Sequence, residues 1–348
     1  MGERLYLDWN ATTPLRAEAR AAMVAAMDVV GNPSSVHAEG RAAKALMERA
    51  RAQVAAALGA EGADVVFTSG STEAAALALA GRGLACAGVE HDAVAAWCDV
   101  ALPVDPAGRV TVADPGQSAL QLANPETGVV QDLPAGLAVS DLTQGFGKLP
   151  VAFNWLGCDM GFVSAHKLGG PKGIGALVIR RGLDVAAQLR GGGQEMGRRA
   201  GTENLIGIAG LGAAAEAAAR DLAQGVWDEV AEIRNILEEA LALAENQTII
   251  VGKGGARLPN TTCMIASGWK GETQVMQMDL AGFAVSAGSA CSSGKVRPSR
   301  VLRAMGYDEE AAMSALRISI GPGVGRDDVL RFAEGWQRQA LRRRAKGA

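Results

Sequence analysis

Short β-branched runs alternate with alanine-rich helical periods over the first two-thirds of the chain, and this alternation leaves few folds open. Strands separated by helices or long connections pair in parallel, with helices covering both faces of the sheet. "DVVFT", "GLAVSD", "MGFVSAHK" and "GALVIRR" predict strands. "PLRAEARAAMVAAM" and "GRAAKALMERARAQVAAALG" predict helices, the second closed by Gly59. A glycine-rich stretch, "RGGGQEMGRRAGTEN", leads into a long helical pattern from about Leu205 to Ala244, with Thr202 as the expected cap and Asn204 nearby. The texture then changes. "TTCMIASG", a helix around "ETQVMQMDLAG", a polar cysteine loop, "ALRISIG" and a charged last helix predict a second, smaller α+β domain. The expected division is a large α/β domain at 12–223 and a small one from 1–11 and 224–348.

The 348 residues can bury a sizeable core, and 49% apolar against 20% charged residues is a globular balance. A net charge of −3 carries no footprint for nucleic acid, and the basic end "RQALRRRAKGA" reads as a solvated helix tail. No apolar run is long enough to span a bilayer, and the first residues carry no signal-peptide pattern. Five scattered cysteines argue against a disulfide framework or zinc site and point to a reducing cytoplasm.

Several residues could carry chemistry. Lys167 lies at the end of a predicted strand, where open α/β sheets place ligands, and its amine could form a Schiff base with a carbonyl cofactor. A lysine at a strand end is, by itself, most often a surface residue; its neighbours change the odds. "SAHK" adds Ser164 and His166, and "FTSGSTEAA" is a strand–turn–helix whose N–H groups and Ser71 and Thr72 hydroxyls form a phosphate cup. Plain helix capping explains that turn equally well in isolation. Together they suggest pyridoxal phosphate, which also needs an acid at its pyridine nitrogen and a group over its ring. Asp141 in "SDLTQ", with Gln144 three residues on, can supply the acid or equally cap the next segment. His91 in "VEHDAV" can stack on the ring or shuttle protons, although a lone histidine is more often a satisfied polar residue. Arg317, in "ALRISIG", is either an edge residue or a planar fork for a carboxylate. Cys291 sits among serines and glycines in "SAGSACSSG", an odd place for a packed thiol.

These motifs, with "YLDWNATTPL", "GNPSSVHAEGR", "ETGVVQ", "GK-P", "GGGQE-G-RAGTEN" and "PS-VLRAMG", occur in order nearly end to end. The set resembles the pyridoxal-phosphate-dependent cysteine desulfurases of the class V aminotransferase superfamily, in the iron–sulfur-assembly branch. The resemblance implies the fold type I of pyridoxal-phosphate transferases, a mostly parallel mixed sheet between helices. It implies a homodimer that takes L-cysteine to L-alanine and passes sulfur to a scaffold or other acceptor protein. It also implies roles. Lys167 would be the Schiff-base lysine, and His91 would stack on the ring. Asp141 would pair with the pyridine nitrogen and Gln144 with the phenolic oxygen. Ser71, Thr72, Ser164 and His166 would hold the phosphate, and Thr202 would reach the phosphate of the other subunit. Arg317 would bind the substrate carboxylate, and Cys291 would take the sulfur as a persulfide.

Two departures stand out. Family members carry Asn just before the acid of the "ETG" motif, touching the phenolic oxygen; Pro125 stands there, with Asn124 one residue off as the expected substitute. The connectors from "VEHDAV" to "ANPETG" and from "GVVQ" to "SDLTQ" are short, the second leaving little room for a helix. Two alternatives remain at this stage: another class V activity, such as an aminotransferase or selenocysteine lyase, and a non-catalytic scaffold.

Overall fold

The computed structural model describes residues 4–244, 248–288 and 297–347. Its central sheet uses the expected strands. Asp64–Thr68 pairs antiparallel with Gly175–Ile179, which pairs antiparallel with Met160–Ser164, which pairs parallel with Val139–Asp141. Parallel bridges Ala119↔Val139 and Ala85↔Ser118 carry the order on to the parallel pair Ala85–Ala87 and Asp99–Leu102. Gly175–Ile179 alone runs against its neighbours here, so the sheet is mixed but mostly parallel.

Side chains alternate across this sheet, so one strand serves both faces. Val65 and Phe67 point into a cluster with Met47, Val54, Leu211 and Ala215, under the helices Ala38–Ala57 and Leu205–Ala223. Val66 points the other way, to Phe162, Leu177 and the helix Ser71–Leu79. Burial on both faces makes these strands nearly uniform apolar runs. Each fully buried Val, Leu or Phe side chain contributes about 1.5–3 kcal/mol. The two covering helices approach closely because the contact is small: a Cβ on Gly212 would lie 2.8 Å from Ala50 Cα.

The long helical pattern is two helices, Leu205–Ala223 and Val226–Ala244. Gly225, at φ +74°, takes the left-handed turn between them. The cap is Asn204, whose side chain accepts from the Gly207 N–H at 3.0 Å; Thr202 lies too far upstream. The second helix packs on a four-stranded antiparallel sheet in the order Ser286–Ala287, Ala315–Ser319, Thr261–Ala266, Thr248–Ile250. Leu237, Leu241, Leu316, Ile318 and Phe332 form the core there, with Trp336 stacked 5.4 Å from Trp269.

The N-terminal segment threads between these two layered regions. Leu5–Tyr6 pairs with Phe283–Ala284, Asp8 bridges Ser319, and five residues later the Thr13 N–H reaches the His166 carbonyl at 2.9 Å. Asn10 is thereby pinned between the layers. The connector from Gln131 to Ala138 carries a turn and no helix, as its length predicts. No helix is long and apolar enough to cross a membrane among the described residues.

Candidate active site

A cavity of about 700 Å³ opens at the carboxyl ends of the central strands. Lys167, His91, Asp141, Gln144, Ser71, Thr72, Ser164, His166 and Arg317 all line it, so nine of the twelve expected residues meet at one place.

Lys167 ends a single 3₁₀ turn, Ala165–Lys167, that follows the strand Met160–Ser164. Its Nζ donates to the carbonyls of Asn10 at 2.5 Å and Ala11 at 2.9 Å. Opposite, Ser71 opens the helix Ser71–Leu79, whose first N–H groups have no partner within the helix, an arrangement suited to an anion. Glycine is needed in the turn before it and on the strand beside that turn. Gly70 adopts φ 156° and ψ 179°, and a Cβ on Gly175 would meet Gly70 Cα at 2.8 Å. Ser71 Oγ lies 2.7 Å from Thr143 Oγ1, which holds the hydroxyl at the helix start.

His166 contacts Thr12 Oγ1 through Nδ1 at 3.2 Å. Burial, with Lys167, Lys172 and Lys148 nearby, pushes its pKa down to about 4, so it is a neutral ring at pH 7. The Asp141 carboxyl is pushed up by burial, against the Thr143 N–H bond at 2.8 Å and the fields of His91 and Lys167. A desolvated carboxylate of that kind is best matched by a cationic N–H. His91 caps the short helix Asp92–Ala95, and its Nδ1 accepts from the Ala93 N–H at 3.1 Å. The proton of the neutral ring is therefore on Nε2.

Arg317 is 7% exposed on the strand Ala315–Ser319. Its Nη2 pairs with Asp8 Oδ1 at 2.7 Å and its Nη1 with the Pro125 carbonyl at 3.2 Å; its buried Nε has no hydrogen-bond partner. That orphaned donor faces a need for an acceptor such as a carboxylate.

Two expected residues, Asn124 and Thr202, are not among those lining this cavity. Asn124 does not substitute for the amide that Pro125 lacks, and that expectation is corrected. Its Nδ2 donates to the Val89 carbonyl at 2.9 Å, and its Oδ1 accepts from the Glu126 and Thr127 N–H groups. The side chain closes its own turn, as Asn does after an extended residue. Thr202 is exposed and lines a neighbouring cavity of about 230 Å³ with Ser69, Glu203 and Asn204. Cys291 lies outside the described residues.

Asn10 lines the cavity, and Lys148 and Glu126 are buried beside it, without having been singled out as site residues from the sequence. Asn10 is 1% exposed and bonds Pro125, Thr261, Lys148 and Asn260. Lys148 is 2% exposed, four residues after Gln144, and donates to its Oε1 at 2.7 Å. Glu126 is 6% exposed with an unpartnered Oε1, and a Cβ on Gly288 would meet that oxygen at 2.3 Å. Only the "GK-P" spelling hinted at Lys148; the burial of a lysine is a tertiary fact.

The group the motifs imply, pyridoxal phosphate, fits this chemistry. The cavity offers a primary amine, a helix N-terminus with hydroxyls, a desolvated carboxyl and an orphaned guanidinium donor. Among the described residues, no cluster of His, Cys, Asp or Glu could hold a metal ion.

Comparisons with known proteins agree with this geometry. The family model for aminotransferase class V matches residues 5–100 and 118–332. A cysteine desulfurase of Cereibacter sphaeroides is 38% identical across 95% of this chain and 94% of its own length. A cysteine desulfurase IscS of Dictyoglomus turgidum is 34% identical across 94% and 92%. The crystal structure of a NifS-like protein from Rickettsia africae superposes with a TM-score of 0.88 at 30% identity, covering 97% of this chain and all of that one.

Proposed function

The chain belongs to the class V aminotransferase family, and we propose that it works as a pyridoxal-phosphate-dependent cysteine desulfurase, taking L-cysteine to L-alanine. One observation carries this function: a single cavity gathers Lys167, Asp141, His91, the phosphate cup and the Arg317 fork. When bound, pyridoxal phosphate supplies the electron sink for the pair left behind as the substrate α-proton departs.

The chain's own residues do the rest. The helix start with Ser71 and Thr72, together with Ser164 and neutral His166, binds the phosphate. Asp141 keeps a proton on the pyridine nitrogen by matching its charge, and the His91 ring covers the cofactor. Arg317 takes the substrate carboxylate on donors that Asp8 and Pro125 leave available. Lys167 would hold the cofactor through Nζ and, with substrate bound, carry the α-proton on that nitrogen. The Cys291 thiolate attacks the substrate sulfur: an S–S bond forms, the C–S bond breaks, and its electron pair stays on carbon. That carbon takes a proton, the α-carbon takes back the one carried on Lys167 Nζ, alanine leaves, and the sulfur remains as a persulfide.

The sulfur then passes to an acceptor, an iron–sulfur scaffold or another protein of thio-cofactor assembly, in the cytoplasm. The working unit is a homodimer in which exposed Thr202 completes the partner's phosphate site. The separate apolar clusters of the two layered regions support a division at 12–223 against 1–11 with 224–348. A visible absorption band on loading with pyridoxal phosphate, lost in Lys167→Ala, tests the cofactor assignment; a colourless wild type would overturn it.

A further inference from the structure

Lys148 is 2% exposed, and among the described residues its bonding partners carry no charge to balance its own. Its two acceptors are neutral amide oxygens, Gln144 Oε1 at 2.7 Å and Asn10 Oδ1 at 3.3 Å. The charged groups that bear on it, Lys167 and Arg317, are both cations, and with burial they hold its pKa well below the usual lysine value. A buried amine in such a place is costly unless its hydrogen bonds do something.

They fix an orientation. The Asn10 carbonyl can only accept, so the end of the Gln144 amide that faces it, at 3.0 Å, must be the NH₂ group. Lys148 Nζ donates to the other end of the Gln144 amide, its Oε1, at 2.7 Å. The amide is thus assigned by the carbonyl it faces. One Nε2 hydrogen is left for the cavity that Gln144 lines.

We infer that Lys148 is a positioning residue, holding Gln144 with its N–H edge toward the phenolic oxygen of the bound cofactor. The inference rests on the cofactor assignment above. In this chain the task falls on Gln144, because Pro125 has no amide to offer and Asn124 is turned into its own loop. The Asn10 carbonyl, which also accepts from Lys167 Nζ at 2.5 Å, holds only the Nε2 end of the amide. Lys148 holds the Oε1 end.

The test is a pH titration of the visible band of the loaded protein. A donor on the phenolic oxygen favours the state in which that oxygen carries unshared negative charge. Losing the donor therefore raises the midpoint. Asp141, His91, His166, Lys167 and Arg317 share the cavity and keep their side chains. The field of Lys148 on Lys167, Arg317 and His166 is lost with it, and the Gln144→Ala background separates that effect. Lys148→Met should raise the midpoint by about one pH unit. Lys148→Gln, which keeps a donor, should bring it back toward wild type. Gln144→Ala should give a similar rise, and adding Lys148→Met to it should change nothing further. A Lys148→Met midpoint equal to wild type would overturn the inference. So would an equal shift in the Gln144→Ala background, which would mean that Lys148 acts by charge alone. If Lys148→Met does not fold, Lys148→Ala, which admits water but no fixed donor, carries the same expectation. A wild type with no visible band would overturn the cofactor assignment and this inference with it.

Discussion

Lys167 Nζ lies 2.5 Å from the carbonyl oxygen of Asn10, a residue 157 positions away on the segment that threads between the two layered regions. The expected reactive amine is therefore held by backbone that itself depends on both regions. The Asn10 side chain donates to Pro125 and Thr261 and accepts from Lys148 and Asn260. Asn10→Ala should leave several of these buried groups unpaired and cost about 2–4 kcal/mol of stability. Urea unfolding of the variant measures this; a loss below about 0.5 kcal/mol would contradict the pinning role.

Glu126 sets a pH dependence. Burial pushes its carboxyl up to about 7, against Ser299, Arg317 and Arg300. The folded chain therefore keeps a proton that the unfolded chain releases near pH 4.5. Between those values the native state binds more protons, so stability falls as pH rises. Glu126→Gln removes this slope. Relative to wild type, the variant should be about 2–3 kcal/mol more favourable at pH 8 than at pH 5. Unfolding midpoints of the two proteins across that range decide it; parallel curves would show that Glu126 does not titrate this way.

Arg317 offers a planar fork, and a lysine cannot reproduce it. Arg317→Lys should raise KM for L-cysteine about 10–100-fold while lowering kcat much less, because the carboxylate contact is made before and during the reaction alike. Steady-state kinetics separate the two terms. An unchanged KM would move the substrate carboxylate elsewhere.

The strands were legible because burial on both faces writes them as apolar runs: Val65, Val66 and Phe67 face opposite clusters, yet all are apolar. Most residues gathered in the main cavity were legible because they lie at or just past a strand end or at a helix start, where the chain pattern itself points to a ligand crevice; Arg317, mid-strand in Ala315–Ser319, is the exception. Other features depended on details that periodicity does not carry. Gly225 splits one apparent helix into two, which the apolar pattern alone runs through. Asn124 was read as a cofactor contact, but a local turn and the Val89 carbonyl take its amide. Lys148, Asn10 and Glu126 are polar residues with ordinary spellings, and only their burial by distant segments gives them a part.

The central claim is that L-cysteine loses its sulfur to Cys291 in a cavity built around Lys167. The direct measurement is alanine and sulfide released from L-cysteine by the protein loaded with pyridoxal phosphate, with dithiothreitol present to reduce the persulfide, in wild type and Cys291→Ser. The expected result is equal alanine and sulfide from wild type, and neither above background from Cys291→Ser, which keeps its visible band. Undiminished sulfide from Cys291→Ser would contradict the claim.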